Sequence, residues 1–96
     1  MVQIKGYIWR EDTVDKLWWK HHVAIEEVEA VFTNRPRVEK IERGRLQGED
    51  VYAALGQTEA GRYLTVIFIH KQDARALIVT ARDMTNQERK RYGRKR

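Results

Sequence analysis

The chain has 96 residues, enough for one domain, spanning 1–96, with a single modest core. A hydrophobic fraction of 42% with three tryptophans suits a folded chain, and the absence of cysteine excludes a disulfide framework and any thiolate metal site. The whole formal net charge of +5 lies in residues 82–96, where seven Lys/Arg stand against two acids, a local footprint for polyanions.

Taken in chain order, Tyr7-Ile8-Trp9 is a candidate short edge strand. Asp12 or Thr13 can cap the helix that follows, and Val14, Leu17, Trp18 and His21 recur at helical spacing on one face. Val23-Ala24 breaks the pattern. A second stripe of Ile25, Val28, Val31 and Phe32 then marks another helix, with Glu26 and Glu27 in its first turn and no capping oxygen at Ala24. Pro36 requires that helix to end by Asn34-Arg35.

Alternation predicts a strand over Arg37–Glu42, followed by the polar loop Arg43–Gly48. Val51–Leu55 and Tyr63–Ile69 are the next strands, the second being the densest apolar run, and Gly56–Arg62 links them. Lys71-Gln72-Asp73 is a turn into a strand over Ala76–Ala81. Thr85-Asn86-Gln87-Glu88 fits a capping box opening a basic C-terminal helix. These elements predict an α+β domain of order β-α-α-β-β-β-β-α. Its twisted antiparallel sheet has about four strands, packed by an N-terminal helical hairpin and a C-terminal helix. No apolar run reaches ~18 residues and no signal core opens the chain, so the expectation is a cytoplasmic protein without a membrane span.

Most enzyme signatures fail. The chain has no serine nucleophile and no glycine-rich phosphate loop. His21 and His22 are adjacent, so on a helix they diverge by about 100°, and no third ligand has metal spacing; no metal and no cofactor is expected. The remaining His, Arg, Lys, Glu and Tyr suit metal-independent RNA cleavage. That chemistry needs a base for the 2′-hydroxyl, cations for the phosphorane and an acid for the leaving oxygen.

Four segments carry a resemblance to a known family. They are Lys20-His21-His22-Val23, the glutamate-rich Glu26–Phe32, the loop Ala54–Leu64, and Thr80-Ala81-Arg82-Asp83-Met84-Thr85 with Glu88-Arg89 and Tyr92. Together they resemble the BrnT ribonuclease toxins of type II toxin–antitoxin systems, whose fold is RelE-like. His22 departs from the family's usual glycine; a positive φ there would cost a non-glycine residue strain.

The resemblance implies an endoribonuclease that inhibits translation, with RNA as substrate and a BrnA-like antitoxin as partner, and leaves a homodimer open. It implies catalytic roles for His21, Arg82, Arg89 and Tyr92. Lys20, Arg45, Arg62, Lys90 and Arg91 would contact RNA. The alternatives are a catalytically inactive RNA- or antitoxin-binding module of the same fold, and an interaction protein whose basic end docks on an acidic partner.

Overall fold

A computed structural model of the chain describes residues 3–44 and 49–93. The elements run β1 (Gly6–Ile8), α1 (Glu11–His21), α2 (Ile25–Thr33), β2 (Arg37–Glu42), β3 (Val51–Gln57), β4 (Tyr63–His70), β5 (Arg75–Asp83) and α3 (Asn86–Gly93). The order matches expectation. The sheet corrects it: five strands, not about four, are arranged β1-β5-β4-β3-β2 and are not all antiparallel. β1 pairs parallel with β5, Tyr7 opposite Ala76 and Ile8 opposite Leu77. Three residues give no readable period, and their pairing is with a strand near the far end of the chain. What β1 supplies is backbone hydrogen bonds that close the β5 edge.

The core follows from strand alternation. Leu64, Val66 and Phe68 point to one face of β4 and pack with Ala54, Ala76, Ile78 and Ala81 against Leu17, Val23, Val28 and Val31 of the helical hairpin. All are buried. A bulge leaves Val79 unpaired, since Ile67 faces Thr80 while Phe68 faces Ile78. Ile78 and Ala81 can therefore both join the helix-side core. A chain of ring contacts pins α2: Tyr7 to Phe32 at 5.4 Å, Phe32 to Phe68 at 5.2 Å and Phe68 to Tyr52 at 5.7 Å. At Gly56 α2 packs tightly on β3, since a Cβ there would lie 2.9 Å from Val31 Cγ1.

α1 departs from expectation in two ways. It begins at Glu11 with Arg10 at the N-cap and no side-chain cap, so neither Asp12 nor Thr13 caps it; Asp12 accepts instead from the Thr13 N–H at 2.9 Å. Trp18, expected on the apolar face, is 58% exposed, and Trp19 is 70% exposed. The helix lies over β5 near the sheet edge and buries only a narrow stripe centred on Leu17. α2 begins as expected after Ala24. Glu27 Oε1 accepts from the Ala24 N–H at 3.0 Å, half of a capping box, and alanine has no oxygen for the other half. No helix among the described residues is long and apolar enough to cross a membrane.

α3 sits on the opposite face from α1 and α2. Thr65 alternates with the core residues Leu64 and Val66, is fully buried, and donates its hydroxyl to Glu88 of α3 at 2.9 Å.

Candidate active site

Arg82 leaves β5 opposite Thr65 on the α3 side of the sheet. Its guanidinium meets Glu88 in a bidentate pair, Nη1–Oε1 at 2.8 Å and Nη2–Oε2 at 3.0 Å. Glu88 also accepts from the Thr85 N–H at 2.9 Å, and the Thr85 hydroxyl accepts from the Glu88 N–H at 3.1 Å. The predicted capping box is thus present, and its glutamate doubles as the partner of Arg82. The Arg82 hydrogen bond, assisted by the Thr85 amide and the Thr65 hydroxyl, outweighs burial and holds the Glu88 carboxyl at about 2. Arg82 is raised in turn, first by that hydrogen bond. Its side chain stays 38% exposed, so the arginine is fixed in direction with one side open to solvent.

Arg62, expected to steer phosphate, is a clasp. Its Nη1 donates to the His22 carbonyl at 2.8 Å and its Nη2 to the His21 carbonyl at 3.0 Å. Nε reaches Asp83 at 2.9 Å, and Nη1 lies 3.3 Å from Glu27. The hydrogen bond to Asp83 leads the causes that raise its pKa. One side chain therefore ties the end of α1, the start of α2 and the end of β5. The carbonyls at a helix C-terminus have no partner within the helix, and Arg62 supplies one for two of them.

His22 has φ 53 and ψ 42, the left-handed conformation anticipated for a glycine position. Its N–H reaches the Trp18 carbonyl at 2.9 Å, the 5→1 bond of an αL C-terminal motif, and the Val23 N–H reaches the Leu17 carbonyl at 3.0 Å. His22→Gly should relieve left-handed strain of about 1–2 kcal/mol. The greater freedom of glycine in the unfolded chain offsets about half of it. A melting point a few degrees higher is expected in a thermal scan. A lower one would mean that the His22 ring, 5.7 Å from Trp18, holds the turn.

Arg89 lies over the Tyr63 ring, 4.0 Å from its centroid, and Tyr92 meets Tyr63 edge-on at 6.1 Å. These residues, with Gln57 and Gly93, line a pocket of about 170 Å³. Arg91 turns toward the sheet and pairs with Glu39 at 3.1 Å, alongside Arg37 at 2.8 Å. Burial pushes the Glu39 carboxyl up, but the Arg91 and Arg37 hydrogen bonds outweigh it, leaving the pKa lowered. Lys20 and Lys90 are exposed. Arg45 lies outside the described residues.

The expected site residues therefore fall into two groups. Arg82, Arg89 and Tyr92 gather beside Thr65 and Tyr63 on the α3 face. His21 stands on the hairpin side, its carbonyl joined through Arg62 to Asp83, the neighbour of Arg82. The two groups meet only at the rim where β5 ends. Nothing in the sequence marks Thr65, Tyr63 or Gln57 for a site, because they sit in an apolar run and a loop margin without a polar motif. No group of three or more His, Asp or Glu among the described residues is placed to hold a metal ion.

A family model described as the ribonuclease toxin BrnT of type II toxin–antitoxin systems matches residues 9–88, so Arg89 and Tyr92 lie just past the match. No curated protein matches the chain. The match spans the helical hairpin, the strands β2–β5 and the Arg82–Glu88 pair, and on that extent the chain belongs to the BrnT family of type II toxin–antitoxin ribonuclease toxins.

Proposed function

We propose that the chain is an endoribonuclease toxin that cuts RNA by metal-independent acid–base chemistry, thereby inhibits translation, and is neutralised by a BrnA-like antitoxin. Family membership supports the toxin class. Within the fold, the observation that carries the chemistry is the convergence of Arg82, Arg89 and Tyr92 around β4. In this reading the open side of Arg82 and the Arg89 guanidinium stabilise the phosphorane. Tyr92 donates a proton to the leaving 5′-oxygen, and His21 takes the 2′-hydroxyl proton. Glu88 cannot take that proton in its place, since a carboxyl held at about 2 is too weak a base near neutral pH. Lys20 and Lys90 steer the RNA backbone. The antitoxin presents an acidic or amphipathic helix to the basic side of α3, and truncation after Met84 should abolish that complex in a pull-down.

The test is digestion of RNA in the presence of a chelator. Arg82→Lys should lose about a hundredfold in rate per folded molecule, because lysine cannot grip two phosphate oxygens. His21→Ala should slow cleavage. A second reading is favoured by the Arg82–Glu88 and Arg62 ion pairs, which commit both arginines to holding the fold. It is an inactive binding module. Its signature is an Arg82→Lys protein that melts earlier with unchanged RNA handling.

A further inference from the structure

We propose that Gln57, Tyr63, Arg89 and Tyr92 form a subsite for one unpaired RNA base, and that Gln57 selects adenine in it. This rests on the RNA reading above and names the base that the site would take. The pocket of about 170 Å³ is small. Sites for drug-sized ligands begin near ~300 Å³, so this one suits a single planar ring system. Its walls are of the kind that unpaired bases stack on: two tyrosine rings at 79° to each other and a guanidinium held 4.0 Å over one of them. Arg89 is exposed, so its outer face is open for stacking.

Gln57 supplies the polar edge. Its Nε2 donates to the Gly61 carbonyl at 3.2 Å. A carbonyl only accepts, so this contact sets which end of the amide faces the loop. Oε1 and the second N–H remain for a ligand. The Gln57 backbone is itself pinned, its carbonyl accepting from Asn34 Nδ2 at 2.9 Å. Gly61, at φ 90, closes the turn that presents the anchoring carbonyl. A glutamine amide pairs bidentately with adenine N6–H and N7, whereas guanine and hypoxanthine show two acceptors at that edge.

The experiment is an NMR titration of the full chain with AMP and, separately, IMP, which differ at position 6 of that edge and at N1. AMP should shift the Tyr63, Arg89 and Tyr92 amides, and IMP should bind about tenfold more weakly. Gln57→Leu should erase the difference; if that variant does not fold, Gln57→Glu, which keeps the acceptor for N6–H and loses the donor to N7, should weaken AMP binding and keep the preference over IMP. Equal affinities for AMP and IMP, or shifts confined to other parts of the chain, overturn the proposal. Digestion of RNA oligonucleotides keeps the two readings apart. Adenine preference without RNA cleavage would remove the nuclease and leave the subsite. Cleavage without any such preference would do the reverse.

Discussion

Glu88→Gln should produce the steepest change in pH-dependent stability of any single substitution. The Glu88 carboxyl is held at about 2 against an ordinary 4.5, and the residue is 9% exposed, so solvent screens the interaction little. A depressed carboxylate stabilises the folded state above its unfolded pKa, and the contribution fades as pH falls toward the folded value. The wild-type chain should therefore lose roughly 3 kcal/mol between about pH 5 and pH 2 from this group. At pH 7 the glutamine variant should already lack most of that stability, because it leaves Arg82 without a charged partner. A melting point lower by on the order of 15 °C is expected. Urea unfolding of both proteins from pH 7 to pH 2 isolates Glu88 from other lowered carboxyls such as Glu39. Equal acid slopes in the two proteins would assign the transition to those groups instead.

Arg62→Leu should cost about 3 kcal/mol, the scale of losing more than one charge-assisted hydrogen bond from a partly buried site. The loss should be local before it is global. The His21 and His22 carbonyls and Glu27 lose their common donor, so amides at the end of α1 and the start of α2 should exchange faster than those of β4. The Asp83 arm contributes little, since that carboxylate is 70% exposed. RNA binding offers a separate readout. An internal clasp leaves the salt dependence of RNA affinity unchanged, whereas a phosphate contact would reduce its slope by about one. Unchanged local exchange together with a reduced slope would return Arg62 to the RNA surface.

Local chemistry made much of this fold legible in the residues themselves. The dense run Tyr63–Ile69, the alternation in Arg37–Glu42, the break before Pro36 and the box Thr85–Glu88 all act over a few residues, and each produced its element nearly in place. The strain at His22 was an expectation of the family resemblance, which has glycine there, and the structure places His22 in the left-handed region. Tertiary structure alone decided the partners. Strand β1 is too short to carry a pattern, and its parallel mate lies almost seventy residues away along the chain, Gly6 opposite Arg75. The exposure of Trp18 depended on how narrow a stripe α1 buries against β5, which helical spacing does not specify. The basic C-terminal segment read as a local footprint for polyanions, yet Arg82 pairs with Glu88, Arg91 pairs with Glu39 and Arg89 lies on Tyr63. A sequence sets how many cations a segment has, but their availability to a ligand depends on which carboxylates and rings the folded sheet brings within about 4 Å of them.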